Sequence, residues 1–156
     1  MTVAARVRSY LSDRGVEFSL MTHPRTGSTR ESALQAHVAE DHIAKAVVTR
    51  DAVGYCMAVI PGASWLRLEA LRSELNRDLT LAEESEIAPL FPDCEPGALP
   101  PFGWLYGMET CVDLALTSLA NLYFESGDHE HLVHVSGEDF RALLQGARQG
   151  HYSRDD

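Results

Sequence analysis

Apolar positions recur along the chain with two periods, near 3.6 and near 2, and their alternation predicts helices interleaved with strands. Val3, Val7, Tyr10 and Leu11 follow helical spacing, and Gly15 offers a stop. Val16 to Met21 then reads as a short strand. Ser28-Thr-Arg-Glu31 has the form of a capping box, opening a helix whose apolar side runs through Ala33, Leu34 and Val38. Ile43 to Thr49 and Tyr55 to Ile60 are rich in β-formers and flank Arg50-Asp-Ala-Val-Gly54, so they predict a hairpin that Pro61-Gly62 ends.

Leu66, Leu68, Leu71 and Leu75 predict the next helix, and Thr80-Leu-Ala-Glu83 reads as a second capping box opening another that stops near Pro89. The proline- and glycine-rich run FPDCEPGALPPFGWLYG, residues 91–107, predicts a loop. Short strands are expected near Leu105 to Met108, Val112 to Ala115, Leu122 to Glu125 and Leu132 to Val135, then a closing helix around Phe140, Leu143 and Leu144. This order predicts an α/β (α+β) fold, a mixed sheet with helices packed on it, in one domain over residues 1–148 with a frayed tail over 149–156.

One residue breaks the pattern. In the run His42-Ile-Ala-Lys-Ala-Val-Val-Thr49, Lys45 shares a strand face with Ile43 and Val47, while Ala44, Ala46 and Val48 take the other, so neither face near it is polar. Lysine is seldom buried without a partner. Lys45 therefore either snorkels along apolar surface to water, pairs with a carboxylate, or lies in a cleft as a cationic floor for an anionic or hydroxyl-bearing ligand. It is the only lysine among 13 cationic residues, the others being arginines, and this favours a site that needs the compact ammonium.

Composition narrows the function classes. With 156 residues, 45% apolar and 23% charged, the chain has globular values, and it contains no apolar run of membrane-crossing length. No secretory signal is read at its start, so a cytoplasmic address is expected. Cys56, Cys94 and Cys111 have no CxxC spacing and read as core or boundary thiols rather than a disulfide framework. The formal charge of −10 opposes general binding to nucleic acid, so no DNA or membrane partner is expected and any RNA must be gripped locally.

Three further stretches carry candidate chemistry. Gly127-Asp-His-Glu-His-Leu-Val-His134 holds three histidines, but on a strand His129 and His131 share a face that His134 does not, so a metal set is disfavoured against single polar roles. Gly97-Ala-Leu-Pro-Pro101-Phe-Gly103 lacks the ending of a phosphate-binding P-loop. It is either a rigid surface loop or a place where backbone N–H groups approach a ligand, as an oxyanion hole requires. No serine sits in a nucleophile elbow and no local Cys-His signature is present, so covalent catalysis is not expected.

The chain resembles the YbaK/ProX family of aminoacyl-tRNA synthetase-associated editing domains. The resemblance rests on His23-Pro24 and Glu31-Ser-Ala33 leading into Ala44-Lys45-Ala-Val-Val48, on Gly97-Ala-Leu-Pro-Pro101 with Phe102-Gly103, and on Gly127-Asp128-His129 with Val133, Val135 and Asp139 behind it. These occur in the family's order across roughly residues 16 to 145. Ala46 stands where many members carry a polar residue. The resemblance implies a mixed, partly barrel-like sheet surrounded by helices, and metal- and cofactor-independent hydrolysis, in trans, of the ester of mischarged tRNA. Lys45, Gly97 and His129 would be catalytic; Pro101, Gly103, Gly127 and Arg50 would bind substrate. The acceptor end of an aminoacyl-tRNA is the partner implied, with an aminoacyl-tRNA synthetase as a further one. Arg25 and Arg77 join Arg50 as candidate tRNA contacts. A non-catalytic module using the same cleft for a small ligand or partner protein is the alternative.

Overall fold

A computed structural model describes residues 3–144 and 146–155. In chain order the elements are α1 (Ala5–Asp13), β1 (Ser19–Thr22), α2 (Thr29–Ala36), β2 (Ala44–Arg50), β3 (Tyr55–Pro61), β4 (Trp65–Leu66), α3 (Leu68–Leu75) and β5 (Thr80–Leu81). There follow α4 (Glu84–Ile87), β6 (Glu109–Asp113), α5 (Leu114–Thr117), β7 (Asn121–Glu125), β8 (His131–Ser136), α6 (Gly137–Leu143), β9 (Arg148–Gly150) and β10 (Ser153–Arg154).

The strands form a five-stranded sheet in the order β5-β2-β3-β6-β9, a three-stranded sheet β1-β8-β7 and a small β10-β4 pair. In the large sheet β2 is antiparallel to β3 and β5, while β6 runs parallel to β3 and β9. An isolated bridge between Ile43 and Tyr123 joins the two larger sheets, giving the mixed α/β architecture expected. The expected hairpin forms in the register Lys45–Ile60 and Thr49–Cys56, closed by Asp51, whose carboxylate accepts from the Val53 and Gly54 amides.

Strand alternation divides the apolar residues between two cores. Ala44, Val48, Met57, Val59 and Val112 of the large sheet meet Phe124, Val133 and Val135 of the small sheet, with α1 and α6 completing the cluster through Val7, Leu11, Phe140 and Leu143. On the opposite face Cys56, Ala58, Ile60 and Cys111 pack with Leu71 of α3, Leu79 and Tyr152, and Val47 joins this side. Consecutive β2 residues thus serve opposite faces, and Lys45 leaves the strand on the face of Val47.

Several local expectations change. Thr80 and Leu81 pair with Arg50 and Thr49 as β5, and the capping box is instead made by Glu83 and Glu86 around α4. Leu66 belongs to β4 rather than to the helix. Residues 103–106 form a 3-10 turn where a strand was expected near Leu105, and Gly103, which opens it, passes too close to Thr110, Met108 and Met57 for any side chain. The strand expected at Val112 to Ala115 ends at Asp113, whose carboxylate caps α5 by accepting from the Ala115 N–H.

The tail is anchored rather than frayed through residue 155, and Asp156 lies outside the described residues. Arg148–Gly150 pairs with β6, and Tyr152 is buried to 1% exposure. Asp113 Oδ2 accepts from the Tyr152 N–H at 3.0 Å and the Ser153 hydroxyl at 2.7 Å.

Candidate active site

Four residues, Glu95-Pro96-Gly97-Ala98, close on themselves: the Ala98 N–H donates to the Glu95 carbonyl at 3.1 Å, and Gly97 has φ +82°. Proline second and a left-handed glycine third are the signature of a type II turn. The turn is clamped to the β7–β8 connection, with Glu95 N–H donating to the Gly127 carbonyl and Gly127 N–H to the Ala98 carbonyl, each at 2.8 Å. Gly127 has φ +114°, and a Cβ there would come within 3.0 to 3.1 Å of Ala4 and the Asp93 carbonyl, so the clamp requires glycine.

His129 holds the middle peptide of this turn. Its Nε2 lies 2.5 Å from the Pro96 carbonyl oxygen, and its ring edge is 3.3 Å from where a Gly97 Cβ would stand. In a planar trans peptide the C=O and the following N–H point in opposite directions. Fixing the Pro96 carbonyl against His129 therefore turns the Gly97 N–H away from the histidine. Among the described residues no hydrogen bond uses that N–H.

His129 belongs in turn to a buried polar chain. Its Nδ1 faces Glu125 Oε2 at 3.6 Å, the Ser32 hydroxyl donates to Glu125 Oε1 at 2.7 Å, and Thr26 Oγ1 lies 2.7 Å from Ser32 Oγ. Burial, with a smaller push from the Asp128 charge, raises the Glu125 carboxyl to about 8 against the pull of the Ser32 hydrogen bond. Sequence patterns missed Glu125 and Ser32, since an acidic residue closing a strand and a serine inside a helix read as exposed. The sequence hints were the Glu31-Ser-Ala33 stretch, which carries Ser32, and the four-residue spacing of Glu125 and His129 across Gly127.

Beside the turn lies an apolar hollow of about 290 Å³, bordered by Pro96, Gly97 and Leu99 on one side and by Ala46, Val48 and Ile87 among others. It opens where the large sheet is incomplete. Val48 C=O accepts from the Ala82 N–H at 3.0 Å, but β5 pairs only with Thr49 and Arg50, so the Ala46 N–H and C=O, two residues earlier on the same edge, point to where β5 has ended. Cys94 also lines the hollow, but burial pushes its thiol up to about 12, leaving no thiolate for nucleophilic chemistry at neutral pH.

Lys45 does not line this hollow. Its ammonium donates to the carbonyls of Ser64 at 3.2 Å and Gly62 at 3.4 Å and is half-buried; burial lowers its affinity for the proton and the charge of Glu40 partly restores it. The two sites flank one segment of chain: a Cβ on Gly97 would lie 3.9 Å from the Gly27 carbonyl, and one on Gly62 would lie 3.3 Å from the Thr29 methyl. Pro101 and Gly103 are buried behind the turn and do not reach the hollow.

The candidate arginines all have carboxylate partners. Arg25 pairs with Glu95, Arg50 with Glu86 at 3.1 Å, and Arg77 with Asp51 at 2.8 Å. Arg77 holds the Asp51 carboxyl well below its ordinary range. The histidines are likewise separated. His131 bonds Asp128 at 2.8 Å, while His134 reaches Asn121 at 2.8 Å and stacks on Tyr123. His129 precedes β8 instead of sharing its face with His131. Among the described residues no group of three or more His, Cys, Asp or Glu side chains is placed to hold a metal ion.

Known proteins share this fold. The fold is shared with the solved structure of the hypothetical protein APE2540, at 24% identity and a TM-score of 0.85, covering 96% of this chain and 99% of that one. It is also similar to a candidate trans-editing enzyme for prolyl tRNA synthetase, at 22% identity and a TM-score of 0.80, covering 96% and 95%. A candidate signal transduction protein from Marinobacter aquaeolei VT8 matches at 24% identity and a TM-score of 0.79 over 99% of this chain but only 31% of its own length. No curated protein matches. The model of the aminoacyl-tRNA editing domain matches residues 23–143, which span the clamped turn, its histidine and Lys45, and the chain therefore belongs to the aminoacyl-tRNA editing domain family.

Proposed function

We propose that the protein hydrolyses the ester of mischarged aminoacyl-tRNA in trans, with no metal, at the hollow beside the Gly97 turn. The observation that carries this reading is the Gly97 N–H, turned away from a pinned carbonyl at the rim of an apolar hollow in an editing-domain fold. Attack on the ester places negative charge on the former carbonyl oxygen, and a fixed backbone N–H is the donor that charge needs. Water is the nucleophile, since Cys94 is held as a thiol and no protein nucleophile is required. The hollow takes the aminoacyl side chain, and the Ala46 carbonyl at its edge accepts from the α-ammonium. Lys45, across the Gly27–Thr29 segment, holds the phosphate or ribose of the terminal adenosine. Apolar walls favour an alanyl or cysteinyl group over a seryl one, because a hydroxyl left without a partner is costly there.

A panel of alanyl-, cysteinyl-, seryl- and threonyl-tRNA incubated with the protein tests the reading. Release of an apolar or thiol-bearing residue ahead of serine supports it, and release of none rejects it.

The ion pairing of Arg25, Arg50 and Arg77 favours a second reading, in which the cleft binds a small ligand or partner protein without catalysis. Under the first reading a synthetase that presents the acceptor end supplies the missing cations.

A further inference from the structure

We propose that Glu125 and His129 share a single proton across Oε2 and Nδ1, and that this buried couple fixes the direction of the Gly97 amide. Glu125 is then a positioning residue for the ester hydrolysis, and this consequence rests on the function proposed above. Hydrogen-bond bookkeeping leads there. The Pro96 carbonyl can only accept, so the His129 Nε2 facing it at 2.5 Å carries a hydrogen. A neutral ring with hydrogen on Nε2 presents a bare lone pair at Nδ1. That Nδ1 and Glu125 Oε2 are both buried with no hydrogen-bond partner, and they face one another at 3.6 Å. Glu125 Oε1 is already occupied by the Ser32 hydroxyl. One proton between Oε2 and Nδ1, with the pair closing from 3.6 Å to hydrogen-bond distance, satisfies both atoms, either as carboxylic acid to imidazole or as carboxylate to imidazolium; with none, two lone pairs oppose each other in a buried site.

The surroundings favour the neutral arrangement. Burial and Asp128 keep the proton on Glu125 up to about pH 8. The other groups facing the couple are Ser32 and Thr26 on the α2 side and Glu95, itself paired with Arg25, on the turn side. Loss of the shared proton removes the hold on the ring and with it the hold on the Pro96 carbonyl. The central peptide of a type II turn is then free to rotate towards the type I arrangement, carrying the Gly97 N–H away from the position the oxyanion needs. Since the β2 and α4 walls of the hollow do not move with this peptide, the loss falls on kcat more than on KM.

Two measurements test this. Nitrogen NMR of the His129 ring is read across pH 6 to 9.5 in the wild type and in Glu125→Gln, whose amide can still donate to Nδ1 and accept from Ser32. Hydrogen on Nε2 at neutral pH, with a transition near pH 8 that Glu125→Gln abolishes, is expected; hydrogen on Nδ1, or a transition indifferent to the substitution, overturns the shared proton. Single-turnover deacylation, corrected for spontaneous hydrolysis, is followed over the same range. Glu125→Ala is expected to lower kcat at least tenfold at pH 7 with KM within threefold. Glu125→Gln is expected to recover most of that loss and to lack the wild-type decline above pH 8. A Glu125→Gln profile that keeps the wild-type decline overturns the positioning role. The NMR outcome does not depend on turnover, so expected spectra in a protein that deacylates nothing reject the proposed function and the positioning role while the couple stands.

Discussion

The ring of His129 grips the carbonyl of Pro96 from behind, and so decides where the amide of its neighbour Gly97 points. A histidine that the sequence offers as a single polar group holds, in the structure, a backbone carbonyl. In the function proposed above, its contribution is the direction of one N–H bond.

Gly97→Ala tests whether that direction matters. A Cβ at φ +82°, 3.3 Å from the His129 ring edge, displaces the turn. The left-handed conformation costs a non-glycine residue roughly 1 kcal/mol, so the fold survives. Losing one oxyanion donor lowers kcat by about 10²- to 10³-fold. Steady-state kinetics beside a melting curve separate the two effects.

Stability should fall as pH rises through the range in which Glu125 titrates. Its folded value, about 8, lies above the ordinary 4.5, so the native state holds the proton more tightly than the unfolded chain. The associated stability is fully present below pH 4.5 and is lost as pH climbs to about 8. At about 1.4 kcal/mol per pH unit the change is on the order of 5 kcal/mol at most. Urea denaturation at pH 5 and pH 8, compared between the wild type and Glu125→Gln, isolates it: the substituted protein lacks this component of the slope.

Filling the hollow should exclude the aminoacyl side chain. Ala46 lines it from β2, and Ala46→Leu adds bulk there. Roughly a tenfold drop in kcat/KM is expected, steeper for larger aminoacyl groups. Circular dichroism should remain that of the wild type.

Tyr152 tests whether the tail is part of the fold. It is buried to 1% in the second core, and β9 and β10 flank it. Tyr152→Ala should destabilise the protein by about 3 kcal/mol, as large-to-small aromatic changes in cores do. It should also expose residues 148–155 to proteolysis.

The β2–β3 hairpin was legible in sequence because seven residues on each strand are enough for alternation to show. The helix around Leu71 was legible because its leucines keep helical spacing. Strands of two or three residues, such as β5, β9 and β10, carry no period, and their anchors, such as the Asp113 carboxylate that accepts from Tyr152 and Ser153, leave no pattern along the chain. At the site, Lys45, Gly97, Gly127 and His129 stood out by residue type. Their relations did not: Glu125 faces His129 across the turn at Gly127, and Lys45, on the β2 face it shares with Val47, turns its ammonium to the Gly62 and Ser64 carbonyls and not to the hollow.

The most direct measurement is single-turnover release of the amino acid from mischarged alanyl-, cysteinyl-, seryl- and threonyl-tRNA by the wild type beside Lys45→Ala. Hydrolysis by the wild type, abolished in a Lys45→Ala protein that still melts cooperatively, is the predicted result. Hydrolysis of none of the four, or full activity retained without the Lys45 ammonium, would contradict it.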